Sequence, residues 1–198
     1  MGLELIYTEG QTPLDEAEKE GLLLKTISTH AELDEAEQLN IEEAVEWTMK
    51  KNFSIRAILS EDFINGLHKR MYRDVWRWAG EFRRSEKNMG VDWTVIPVEL
   101  KILIGDGKFW IENKIFSEDE IAIRFKHRLV SIHCYSNGNG RHSRLIADVI
   151  ISHVFSKPVF NWGAGDLVKA GQIRKKYIEA LRAADKGNYD QLLAFSRT

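Results

Sequence analysis

Between Glu32 and Lys50 the apolar residues Leu33, Ala36, Ile41, Ala44 and Val45 recur at helical spacing, with acids and amides between them. Ser60 followed by Glu61-Asp62-Phe63 reads as a helix start that runs on through Leu67 and Met71. Ser117-Glu118-Asp119-Glu120 has the capping-box pattern, and the helix it opens sets Ile121, Phe125, Leu129 and Ile132 on one stripe. A further helix begins near Asn139. Its buried set of Leu145, Ile146, Val149, Ile150 and Val154 forms so wide an arc that the helix belongs at the centre of the fold. Two more helices are expected, over residues 166–184 and 188–196. Asp74 to Phe82 is rich in aromatics and ends helically at Ala79-Gly80. The pattern changes only near residues 85–96. Asn88-Met89-Gly90 is a turn signal and Val91-Asp92-Trp93-Thr94-Val95-Ile96 is short and β-prone, which together predict a small hairpin. The expected fold is therefore all-α, a single helical domain with one small β-hairpin.

Composition supports this picture. Three prolines in 198 residues leave long intervals free of the strongest helix breaker. Apolar residues at 43% and charged residues at 29% are ordinary globular values, and the length suffices for one real core. The expected organisation is a loosely held segment over 1–31, an N-terminal helix over 32–51 and the main domain over 52–198. No run of about 18 apolar residues marks a membrane span, and Met1 to Gly10 lacks a signal-peptide pattern. The single cysteine, Cys134, excludes a disulfide framework, so the expected compartment is cytoplasmic. A net charge of −2 argues against nucleic-acid and membrane-surface partners. That total conceals a division. Residues 1–50 carry 13 acids and 3 bases, whereas Ile121 to Ala147 contains no acid and five bases. Such a split can also reflect two differently solvated faces.

The chemistry concentrates in His133-Cys134-Tyr135-Ser136-Asn137-Gly138-Asn139-Gly140-Arg141-His142-Ser143-Arg144, between the two best-defined helices. An Asn-Gly turn joining antiparallel helices is one reading. The other starts from Gly138 and Gly140, which relax the backbone just before a helix N-terminus, where outward N–H groups and the helix dipole attract anions. Arg141 and Arg144 stand in the first helical turn, where cations oppose that dipole unless a phosphate is bound between them. His133 precedes the loop, where an imidazole can serve as a base beside the phosphate. The residues thus point to a polyphosphate site with an adjacent base.

This segment resembles the Fic (filamentation induced by cAMP) motif, His-x-Phe-x-[Asp/Glu]-Gly-Asn-Gly-Arg-x-x-Arg, at six fixed positions: His133, Gly138, Asn139, Gly140, Arg141 and Arg144. The stretches from Leu67 to Tyr72, from Trp78 to Arg83 and from Tyr177 to Phe195 are similar to the family's flanking sequence. The details look most like a bacterial subgroup called mobile mystery protein B. The resemblance implies the Fic fold and transfer of AMP from ATP to a Ser, Thr or Tyr hydroxyl of a target protein or of the chain itself. It makes His133 the general base. Gly138, Asn139 and Gly140 become the phosphate cradle, Arg141 the group that stabilises developing charge, and Arg144 the holder of the terminal phosphate. The predicted hairpin, with Met89, Gly90, Val91, Asp92, Trp93, Thr94 and Val95, becomes the flap that docks the target strand. Asn137 stands where the family has a Mg²⁺-binding acid, so use of Mg²⁺ or Mn²⁺ is expected to weaken. A nucleotide-binding regulatory module with lost transfer, or a de-AMPylase or other phosphodiester-transferring Fic protein, are the alternatives.

Glu37 falls on the apolar stripe of the first predicted helix, where an acid needs a partner. Fic proteins with an inhibitory helix place a glutamate on the second motif arginine, which makes Glu37 with Arg144 the expected inhibitory pair. Glu32, with Ser28 four residues before it, is the competing choice. Cys134 reads as a packing residue, and Gly105-Asp106-Gly107-Lys108 as a turn rather than a phosphate loop.

Overall fold

The computed structural model describes residues 12–164, 167 and 171–198. Nine α-helices occur among them. The first, α1 (Glu16–Lys19), is one turn closed by a capping box on Asp15. Helix α2 (His30–Lys50) starts at Thr29, whose hydroxyl accepts the Glu32 N–H while the Glu32 carboxylate reaches back to the cap. Its buried positions are Leu33, Glu37, Asn40, Ala44 and Thr48. Short α3 (Ile55–Ile58) leads into α4 (Glu61–Tyr72), capped by Ser60 and burying Ile64, Leu67, His68, Met71 and Tyr72. After a long connection come α5 (Ile96–Asn113), α6 (Glu118–Ile132) capped by Ser117, and α7 (Asn139–Val149). A π-helical turn, Ile150–Val154, extends α7. Helices α8 (Gln172–Asp185) and α9 (Asp190–Arg197) complete the chain.

Helix α6 packs on both α5 and α7, α2 packs on α4, and α8 pairs with α9. The fully buried Tyr72, Trp76, Phe125, Leu67 and Leu100 fill the space between them. The central position expected for the helix after Asn139 holds: Ile146, Ala147, Ile150 and Ile151 are inaccessible. No helix among the described residues is long and apolar enough to cross a membrane.

Four expectations need correction. Residues 85–96 form no hairpin; an isolated bridge between Leu22 and Trp76 is the sole β-pairing among the described residues. Instead Asp92 accepts the Thr94 N–H at 2.8 Å and caps a 3₁₀ turn over Trp93–Val95, and Pro97 at the first positions of α5 then commits the chain to helix. Gly105 to Lys108 is not a turn but the interior of α5. Each helical glycine costs about 1 kcal/mol against alanine, and Gly107 is offset by close packing, since a Cβ there would lie 2.8 Å from the Phe125 ring. The aromatic stretch from Asp74 to Phe82 is a series of turns rather than a helix end. Residues 12–31 are also better anchored than expected: Thr12, Leu14 and Leu22 are buried, and the Leu23 N–H bonds the Val75 carbonyl. Residues 1–11 of that segment, and Asp166 with 168–170 at the start of the predicted 166–184 helix, lie outside the described residues.

Candidate functional site

The loop between α6 and α7 is shaped by two left-handed residues. His133 ends α6 at φ 58°, ψ 60°, and Gly138 opens α7 at φ 79°. Gly138 has no substitute: a Cβ there would lie 2.4 Å from Tyr72 Cζ. Asn139 braces the loop, its side chain accepting the Tyr135 N–H at 3.0 Å and donating to the Tyr135 carbonyl at 2.7 Å. Its contribution to a cradle is therefore its backbone. Below, the buried His68 stacks on Tyr135 and bonds the Asn137 carbonyl at 3.1 Å. No side chain caps α7, and its first turn, whose N–H groups have no partner within the helix, lines the cavity described below.

The His133 imidazole has a definite protonation pattern. Its Nδ1 lies 3.3 Å from the Val130 carbonyl, which can only accept, so Nδ1 carries the proton. Nε2 is then the lone-pair nitrogen and accepts the Thr12 hydroxyl at 2.8 Å. Burial, helped by the Arg83 and Lys87 charges, pushes the His133 pKa down to about 4. The ring is neutral near pH 7, as a general base requires. Cys134 beside it is buried with its pKa pushed up to about 12, so it is no thiolate nucleophile.

Arg83 fixes this geometry. Its side chain donates to the His133 carbonyl at 2.7 Å, to the Ser85 carbonyl at 2.8 Å and to the Val91 carbonyl. Its own N–H bonds the Cys134 carbonyl at 2.9 Å, and Val91 N–H reaches the Ile132 carbonyl. Residues 83–91 thus run beside 132–134 as an irregular flap, and Gly90 lies close against His133. Met89, Trp93 and Val95 are exposed at its outer side.

Across the loop stands Glu37, 1% exposed. Its Oε2 lies 2.6 Å from Arg141 Nη1, and its Oε1 accepts the Trp76 indole N–H at 2.6 Å. The expected inhibitory pair is corrected here: Glu37 engages Arg141, not Arg144. Arg144 sits one turn further along α7, its guanidinium 5.5 Å from the Tyr177 ring centre. Glu32 is not a competitor, because its carboxylate is exposed and occupied by the Ser28 and Thr29 N–H groups at the start of α2. One cavity of about 530 Å³ joins Thr12, Glu37, His133, the Asn137–Arg141 loop, Arg144 and, on its far wall, Arg174, Tyr177 and Arg182 of α8. Sequence reasoning missed Thr12, Arg83 and the α8 wall. Only the unusual cation density of α8 (Arg174, Lys175, Lys176 and Arg182) was visible beforehand.

A model of the Fic/DOC family matches residues 58–151, from the end of α3 to the turn after α7. Over these residues the chain is similar to the Fic/DOC family. Over 120 residues it is 31% identical to a protein adenylyltransferase Fic of Aedes aegypti, covering 59% of this chain and 22% of that protein. A protein of the same name from Culex quinquefasciatus is 29% identical over an equal stretch. This chain thus spans about a fifth of the length of these curated relatives. Among solved structures, the BepC protein of Bartonella tribocorum with bound AMPPNP superposes at TM-score 0.68 and 14% identity, covering 92% of this chain and 97% of that one. Fic-1 from C. elegans gives 0.62 and 19%, covering 80% of this chain and 46% of that one. The all-helical Fic fold is thereby established.

The buried histidines of this fold set its acid response. Burial lowers the pKa of His68, of His133 to about 4 and of His142 to about 3, while unfolded histidine titrates near 6.5. Between these values the unfolded chain binds more protons, so stability falls as pH drops from about 6.5 towards 4 and levels off once the folded histidines also protonate. Asp148, raised by burial to about 6, works in the opposite sense but is a single group. The thermal midpoint is expected to fall between pH 7 and pH 4.5; a midpoint that holds or rises contradicts these assignments.

Proposed function

We propose that this chain is a Fic-type protein adenylyltransferase, moving AMP from ATP to a protein hydroxyl, and that α2 restrains it. The observation that carries this reading is the joint placement, in one cavity, of a neutral Nε2 on His133 and the uncapped N-terminus of α7 with Arg141 and Arg144. Nε2 takes the proton of the attacking hydroxyl, whose oxygen bonds the α-phosphorus while the bond to the β-phosphate oxygen breaks and pyrophosphate leaves. The Gly138, Asn139 and Gly140 backbone region cradles phosphate oxygens. Arg141 holds charge that develops in the transition state, and Arg144 holds the terminal phosphate. The flap over 89–95 aligns the acceptor protein beside His133. In the present arrangement Glu37 occupies the Arg141 charge that ATP needs, and its buried pairing is the restraint.

The residues present do not fit a resident Mg²⁺ or Mn²⁺. Asn137 offers no charge, and its Oδ1 already accepts the Gly138 N–H at 2.6 Å. The described residues contain no cluster of three His, Cys, Asp or Glu that could hold an ion. The same observation favours a second reading, a regulatory module that binds nucleotide without efficient transfer.

The test uses ATP labelled either in the α- or in the γ-phosphate, incubated with wild type and Glu37→Gln. Protein-bound α-label with no γ-label is expected. Protein-bound γ-label would mean phosphoryl transfer instead, and saturable binding with neither label bound covalently selects the regulatory module.

A further inference from the structure

The segment around Thr12 is held to the site like a docked substrate. The Thr12 hydroxyl is buried and bonded to the lone-pair nitrogen of His133 at 2.8 Å, across 121 residues of sequence. Immediately after it, Lys87 of the flap donates to the Pro13 carbonyl at 3.2 Å and also pairs with Glu18. Ser85, also on the flap, donates to the Glu18 carboxylate at 2.9 Å, and Trp78 donates to the Glu18 carbonyl at 3.1 Å. Leu14 is buried between these anchors. The flap that would align a target is thus gripping residues 13–18 of its own chain. The one hydroxyl that this grip delivers to His133 belongs to Thr12, in the same cavity as the α7 N-terminus, Arg141 and Arg144.

We propose that Thr12 is an intramolecular acceptor: with ATP bound, its oxygen is adenylylated by its own Fic site. This rests on the transferase reading above. In the step, the Thr12 proton passes to His133 Nε2, and Thr12 Oγ1 forms a bond to the α-phosphorus. The bond from that phosphorus to the bridging oxygen of the β-phosphate breaks and pyrophosphate departs, leaving a Thr12–AMP phosphodiester. Before reaction, the same hydroxyl competes with outside acceptors for the base. After it, the bulk and charge of the AMP group can no longer fit between His133 and the flap, so residues 12–18 leave and the site opens to other proteins. The device makes the chain's own N-terminal region its first substrate.

The experiment incubates full-length Glu37→Gln with α-labelled ATP, in otherwise wild-type, Thr12→Val and Thr12→Ser backgrounds, and maps the modified peptide. Label on Thr12 is expected, with the fraction labelled per minute independent of protein concentration. Thr12→Val is expected to reduce early labelling at least about ten-fold, and Thr12→Ser to restore it, because only the hydroxyl is needed. Label mapped to another residue, undiminished labelling in Thr12→Val, or a rate proportional to protein concentration overturns the proposal. AMP released to water separates the two readings. Release that requires His133 while Thr12 stays unlabelled defeats the Thr12 assignment alone. No His133-dependent AMP, on protein or in solution, defeats the transferase reading with it.

Discussion

Glu37→Gln is expected to bind ATP about ten-fold more tightly than wild type, while its ligand-free form melts at a lower temperature. Both effects come from one contact. Glu37 is 1% exposed and holds Arg141 at 2.6 Å, so removing its charge leaves a largely buried guanidinium without its anion. Breaking a buried pair by deleting one partner costs about 3–5 kcal/mol. Glutamine keeps an oxygen for the Trp76 indole, which confines the change to the charge. ATP then supplies the missing anion: its phosphates meet an arginine that no longer has to abandon a carboxylate, and a tenfold gain corresponds to about 1.4 kcal/mol. Thermal melts with and without ATP separate this account from a purely structural role. The account predicts a larger ATP-induced rise in the variant than in wild type. A purely structural Glu37 predicts a lower starting midpoint and an unchanged rise.

The second large effect concerns His133. His133→Asn is expected to lower AMP transfer by about 10²–10⁴-fold, the usual contribution of a positioned general base, with ATP affinity unchanged. Asparagine is the informative replacement because residue 133 sits at φ 58°, a conformation that asparagine tolerates far better than most residues. A change to alanine would mix loss of the base with strain in the loop. Arg83 should still bond the residue 133 carbonyl, so the phosphate cradle keeps its shape. Equal transfer rates in His133→Asn and wild type would remove the base assignment, and a parallel loss of ATP binding would show that the loop itself had collapsed.

The parts of this site that were legible from sequence are those set by local rules. Ser60 and Ser117 cap helices as their sequence context predicts, because an N-cap needs only its own next three residues. Glu37 was visible as an acid on an apolar stripe, since helical period alone places it with Leu33 and Ala44. Its partner was not. Arg141 and Arg144 lie on neighbouring positions of one helix turn, and which of them Glu37 of α2 reaches is set by tertiary packing. The hairpin failed because β-propensity in Val91–Ile96 is weaker than the local commitment made by Asp92 and Pro97. Helix α5 was hidden by two glycines, Gly105 and Gly107, and the packing that offsets Gly107 comes from Phe125 of α6, a helix more than ten residues away. Thr12 and Arg83 carry no periodic or motif signal. Their roles come from contacts 121 and 50 residues away, which appear only once the chain is folded.

The central claim is that His133 and the α7 N-terminus transfer AMP and that Glu37 holds this chemistry back. Intact mass of wild type, Glu37→Gln and the Glu37→Gln/His133→Asn double variant, followed over time with ATP, tests it most directly. The account predicts that one AMP adduct accumulates faster in Glu37→Gln than in wild type and stays at background in the double variant. An adduct that forms equally fast in the double variant, or ATP-saturated Glu37→Gln that never gains AMP, would contradict it.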